Sequence, residues 1–106
     1  SSTIRFVPSA REPNLRYAHD RTDFFAVVLY FNQKLTDTER NRTTLWTRHM
    51  IDVVLRLGGT YYLTYQRYAT RQQLVRAYPR IEDFFQSKQR WDPDSLFEND
   101  WYNVYR

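Results

Sequence analysis

The chain has 106 residues, a formal net charge of +4, 42% hydrophobic and 18% aromatic residues, no cysteine and only two glycines. A single domain of this size leaves about a third of its potential surface exposed, and no apolar run approaches the roughly 20 residues that a membrane helix needs. Without cysteine, disulfides, thiolate catalysis and Cys-type zinc sites are excluded. His19 and His49 have no second histidine at ligand spacing, so no metal site is expected.

The basic charge comes almost wholly from arginine, since Lys34 and Lys88 are the only lysines. Arginines and acids interleave, so no block of like charge marks a polybasic tail. No signal-peptide layout opens the chain, and a cytoplasmic location is the expectation.

Thr3 to Pro8 sets Ile4 and Phe6 against Arg5 and Val7, the two-residue period of a strand. Pro8 removes a ladder donor, which predicts an edge position. Ser9 to Thr22 is polar and turn-rich around Pro13-Asn14 and reads as a loop able to carry function, although Leu15 and Tyr17 could extend a strand on its far side. Phe24 to Phe31 is apolar on both faces, which predicts a central strand covered by helices on one side and by something else, such as another domain, on the other.

Thr36-Asp37-Thr38-Glu39 spells a capping box. The helix it opens carries Leu45, Trp46, His49, Met50, Val53, Val54 and Leu57 at three- and four-residue spacing and stops at Gly58-Gly59. His49 is expected to be partly buried on that stripe. Thr60 to Gln66 alternates Tyr61, Leu63 and Tyr65 with Tyr62, Thr64 and Gln66, predicting a third strand with tyrosine on both faces. Thr70-Arg71-Gln72-Gln73 is a second capping box, and its helix breaks at Pro79, which suits the first turn of the next one. That helix is expected to bury Ile81, Phe84, Phe85, the Lys88 stem and Trp91, and to end in an Asp92-Pro93-Asp94-Ser95 turn. Leu96 and Phe97 would then anchor an aromatic tail. These elements predict one α+β domain over residues 1–106, an antiparallel sheet with helices on one face in a ferredoxin-like arrangement.

The usual catalytic signatures are absent. There is no Gly-x-Ser-x-Gly elbow, no Gly-rich phosphate loop and no His-Glu-x-x-His, and two glycines are too few to cradle a cofactor phosphate. Paired carboxylates at Glu82-Asp83, Asp92/Asp94 and Glu98/Asp100 read as capping and surface groups. What remains is the aromatic polar run Tyr61, Tyr62, Tyr65, Gln66, Arg67 and Tyr68, suited to holding a polyhydroxylated ring by hydrogen bonds and stacking. Strict alternation puts Tyr62 and Tyr65 on opposite faces, so both line one pocket only if the strand ends or bulges between them.

From Gly58 to Asn99 the order of Gly58-Gly59, Tyr62, Tyr78-Pro79, Phe84, Asp92-Pro93 and Phe97 resembles the C-terminal end of FAD-linked oxidases of the vanillyl-alcohol oxidase type, nearest to the sugar-lactone, alditol and decaprenylphosphoryl-ribose oxidases. The resemblance implies a C-terminal cap domain that is inactive alone. It implies that this domain packs over a flavin (FAD) held by an N-terminal FAD-binding domain outside this sequence, with no cofactor contacts expected in the chain itself. It further implies an oxidoreductase acting on an alcohol or sugar-like substrate, with hydride passing from substrate carbon to flavin and with Tyr62, Tyr65, Gln66 and Arg67 as substrate-binding residues. The position matching the family lysine is Tyr65, which carries no charge near neutral pH. Two other functions stay open at this point, a single-stranded nucleic-acid binder and a protein-interaction module, although no Lys/Arg-Gly-aromatic run of an RNA-recognition strand is present.

Overall fold

The computed structural model describes residues 1–11, 15–65 and 67–106. The expected Pro13-Asn14 turn lies outside them. Two strands, β1 (Ser2–Val7) and β2 (Phe24–Leu29), are followed by four helices: α1 (Asp37–Arg56), α2 (Arg71–Ala77), α3 (Ile81–Trp91) and α4 (Asp100–Tyr105). The strands pair antiparallel with Ile4 opposite Val27 and Phe6 opposite Phe25. The architecture is α+β. The 9–23 connection is pinned where Ser9 donates its N–H to the Asp23 carboxylate at 2.8 Å and Ala10 donates to the His19 carbonyl at 2.9 Å.

Local chemistry sets the helix boundaries. The Thr36 hydroxyl accepts the Glu39 N–H, closing one half of the box that opens α1. At its far end Gly58 takes φ +76°, donating to the Leu55 carbonyl at 3.2 Å, while Gly59 donates to the Val54 carbonyl at 2.9 Å. This paired pattern is the Schellman stop. In α2 both halves of the box form: the Thr70 hydroxyl accepts the Gln73 N–H at 3.1 Å, and the Gln73 side chain accepts the Thr70 N–H at 3.0 Å. The amide of buried Gln73 also donates to the Arg48 carbonyl of α1 at 2.8 Å. One side chain thus starts α2 and docks it.

The core gathers Ile51 of α1, Ala69, Leu74 of α2, Tyr78, Ile81 of α3 and Tyr105 of α4, with Leu15, Tyr17, Tyr61, Leu63, Phe84, Phe85 and Trp101 packed around it. It therefore sits among the helices, and β1 and β2 stand apart as a ribbon. The Cα radius of gyration is 15.2 Å and the extents are 40 × 37 × 20 Å, against about 13 Å expected of a compact domain of this length. No helix among the described residues is long and apolar enough to cross a membrane.

Several sequence expectations are corrected. Residues 60–65 form no strand, and β2 has one neighbour rather than two, so it is not central. The chain turns at Leu63-Thr64, and the Tyr61 carbonyl accepts the Tyr78 hydroxyl instead of a ladder N–H. In α1 the buried positions are Thr43 and Ile51, whereas Leu45, Trp46, His49, Met50 and Leu57 face outward. His49 is accordingly exposed rather than part of the core. Trp91 is 81% exposed, and Leu96 and Phe97 anchor nothing through their side chains. Their backbone N–H groups do the fixing, donating to the buried Asp92 carboxylate at 2.8 and 3.0 Å, which Lys88 also meets. The aromatic tail is a helix, capped where the Asn99 side chain accepts the Tyr102 N–H at 2.9 Å.

Candidate functional site

The turn at Leu63-Thr64 decides the geometry of the aromatic segment. Because the chain reverses rather than alternating, Tyr62 and Tyr65 come to one side, with ring centroids 5.2 Å apart and planes at 65°. Tyr17, carried in by the β1–β2 connection, meets the Tyr62 ring edge-on at 5.4 Å. These three rings border a cleft of about 810 Å³ that is also lined by Arg67, Tyr78 and Trp101.

The opposite wall is α4. Trp101 stacks on Phe85 at 6.2 Å and 27°, meets Phe84 edge-on at 6.3 Å and Tyr105 at 5.3 Å. An indole held by three rings cannot swing far, so this wall is pre-formed. Tyr105 donates its hydroxyl to the Ala69 carbonyl at 2.8 Å, fixing α4 to the segment that follows the cleft turn.

The tyrosines divide by burial. Burial pushes the Tyr78 phenol up to about 12, outweighing the opposite pull of the neighbouring Thr60 hydroxyl. Burial also raises Tyr105, with Arg48 and Arg67 opposing, and raises Tyr61 further, reinforced by Tyr105 and Tyr78. A phenol held this high stays protonated at neutral pH and works as a donor, as Tyr78 and Tyr105 do toward backbone carbonyls. The Tyr61 hydroxyl is buried without a hydrogen-bond partner. Tyr62 and Tyr65 are exposed at the cleft rim, free to meet a ligand.

Of the four residues singled out in the sequence, Tyr62, Tyr65 and Arg67 share this cleft, and Gln66 lies outside the described residues. Sequence reasoning missed Trp101, Asn99 and Asp100, because it treated the final segment as a tail. The signal available was Asn99 followed by Tyr102 and Tyr105, a cap with apolar residues at helical spacing. Tyr17 was reachable only as part of a loop marked for possible function.

The described residues offer little to a nucleotide cofactor. Both glycines are consumed by the α1 stop: Gly58 supplies the positive φ, and a Cβ on Gly59 would lie 2.7 Å from Val54 Cγ1. The first turn of α1 carries Asp37 and Glu39, that of α3 carries Glu82 and Asp83, and α2 is closed by its own capping box. None of these is built for phosphate, which needs open N–H groups and no competing carboxylate. Among the described residues no three His, Asp or Glu side chains gather as a metal site would require.

Fold and cleft together describe an α+β domain with an aromatic cleft that is poor in acid–base groups among the described residues. The chain belongs to the D-arabinono-1,4-lactone oxidase family, whose model matches residues 3–105. Neither the curated proteins nor the solved structures contain a match to it.

Proposed function

We propose that this chain is the C-terminal, substrate-side domain of an FAD-dependent oxidase acting on the CH–OH group of an alcohol or sugar-like substrate. Membership of an oxidase family requires a redox group, and the described residues provide no cradle for its phosphates, so the flavin is assigned to a separate N-terminal domain. The chain's own residues bind and orient. Tyr17, Tyr62, Tyr65 and Trp101 supply ring faces and phenol hydroxyls matched to a hydroxylated ring, and Arg67 adds donors at the edge.

The observation that carries this reading is the Tyr62–Tyr65 edge contact inside one cleft, which the strand alternation of the sequence would have forbidden. A protein-bound position for the domain is supported by the ribbon, where Ile4, Phe6, Phe25, Val27 and Leu29 are all exposed on one side of the β1–β2 pair. An apolar face of this kind is what a flavin-binding domain of the same protein would bury. Seven of the fourteen arginines, Arg16, Arg42, Arg67, Arg71, Arg76, Arg80 and Arg106, face an acid within ion-pair distance, which lowers the positive charge open to a nucleic-acid backbone.

The test is Tyr65→Phe in the full-length oxidase, read by rapid-mixing measurement of flavin reduction alongside the melting temperature. Losing one substrate hydrogen bond should lower kcat/KM about ten- to a hundredfold with the melting temperature unchanged. Unaltered reduction kinetics in both Tyr62→Phe and Tyr65→Phe would remove this segment from the substrate site.

A further inference from the structure

Among the described residues that line the cleft, two carry formal charge, Arg67 and Asp100, and they face each other, with Arg67 Nη1 3.4 Å from Asp100 Oδ2. In a chain of net charge +4 these two charges cancel each other at the cleft. An unpaired guanidinium in an aromatic cleft is a ready anchor for a carboxylate, because its planar fork matches the two oxygens. Asp100 occupies that role from within the protein. It is held there by the fold: it is the first residue of α4, directly after the Asn99 cap, and α4 is tied down through Tyr105 and Ala69.

We propose that Asp100 masks Arg67 and thereby makes the cleft select an uncharged lactone ring over the open-chain carboxylate derived from it. This inference rests on the substrate-site reading above. A sugar lactone hydrolyses when water adds to the ring ester carbonyl and the ring C–O bond breaks, giving a hydroxy acid that loses its proton to solvent. Lactone and acid share most of their hydroxyl groups and therefore most of what the tyrosines can recognise. Charge is the feature that separates them. A carboxylate entering beside Arg67 meets the Asp100 carboxylate within a few ångströms, and at a water-exposed rim that repulsion corresponds to about a three- to tenfold loss of affinity. The side chains of Arg67 and Asp100 are 48% and 84% exposed, so added salt should shrink the effect.

The experiment uses the full-length oxidase, with D-arabinono-1,4-lactone as substrate and D-arabinonate as inhibitor, following flavin reduction. Asp100→Asn should tighten arabinonate inhibition about three- to tenfold at low salt, Asp100→Glu should behave as wild type, and Arg67→Gln combined with Asp100→Asn should abolish the gain. Arg67→Gln alone leaves the Asp100 carboxylate uncompensated and should weaken arabinonate inhibition about three- to tenfold at low salt. If Asp100→Asn leaves inhibition unchanged while Tyr65→Phe slows reduction, the cleft stands and the masking role falls. If Asp100→Asn tightens arabinonate inhibition just as much when Arg67 is already Gln, the gain does not come from unmasking the arginine and the proposal fails. Indifference of flavin reduction to Tyr62→Phe and Tyr65→Phe as well as to Asp100→Asn would retire both this inference and the site reading beneath it.

Discussion

The hydroxyl of Tyr105 donates to the carbonyl of Ala69 at 2.8 Å, joining residues 36 positions apart at the buried junction of α4 with the segment leading into α2. Both residues are almost fully enclosed, so water cannot replace a lost partner. Tyr105→Phe should therefore cost about 1–3 kcal/mol, the penalty of an unsatisfied buried carbonyl. In a domain near this size each 1 kcal/mol lowers the melting temperature by about 4–8 °C. Urea unfolding with an unchanged slope and a lower midpoint is the expected record; an unchanged midpoint would mean that α4 is held by ring packing alone.

Asp92 gives a pH dependence with a definite sign. The Lys88 ammonium, followed by the Phe97 and Leu96 N–H groups, holds its carboxyl below the usual carboxylate range. A depressed folded-state value means the stabilisation is fully present above about pH 5, beyond the unfolded value near 3.9, and is lost as pH falls through the folded one. Asp92→Asn should be less stable than wild type at pH 7, and the gap should close on acidification. Denaturant midpoints of both proteins measured from neutral pH down to the acid limit of folding test this, and a gap that stays constant with pH contradicts it.

Gly58 and Gly59 should respond differently to alanine. At Gly58 nothing lies within 4 Å of an added Cβ, and the φ of +76° is the whole difficulty. Gly58→Ala should cost about 1–2 kcal/mol of backbone strain, and Gly58→Asn less, because asparagine tolerates the left-handed region. At Gly59 the obstacle is the Val54 side chain. Gly59→Ala should therefore be partly rescued by Val54→Ala, giving a favourable coupling in a double-mutant cycle, whereas Gly58→Ala should show none. Thermal melts of the single and double variants supply the comparison.

Phe25 and Phe6 face each other across the ribbon with centroids 5.9 Å apart, and they are 72% and 60% exposed. For an exposed pair, Phe25→Ser should change the stability of this chain by itself by no more than about 0.5 kcal/mol. If the ribbon is the seat of a flavin domain, the same substitution in the full-length oxidase should lower its melting temperature and its flavin retention by clearly more. Equal small effects in both settings would assign the ribbon face no partner within the protein.

Much of the helical skeleton was legible because its signals are local. Thr70 with Gln73 closes a capping box within four residues, Gly58-Gly59 ends α1 through bonds to Leu55 and Val54, and Pro79 separates α2 from α3. Each of these depends on neighbours in the chain, so the sequence by itself determined where α1 starts and stops, where α2 starts and where it gives way to α3, as well as the α+β class and the scarcity of acid–base groups. The direction each face turns was not local. The stripe of Leu45, Trp46, His49 and Met50 looks like a core face, yet α1 is docked by the Gln73 bond to the Arg48 carbonyl, which turns Ile51 inward instead. The run from Thr60 to Tyr65 has the alternation of a strand but no partner to pair with, and a strand is stable only in a ladder. Without that constraint the segment turns at Leu63-Thr64, Tyr78 captures the Tyr61 carbonyl, and Tyr62 and Tyr65 meet. Tertiary structure alone decided that the two tyrosines share a cleft with Tyr17 and Trp101, because every one of those contacts joins elements whose relative placement is set by what packs between them.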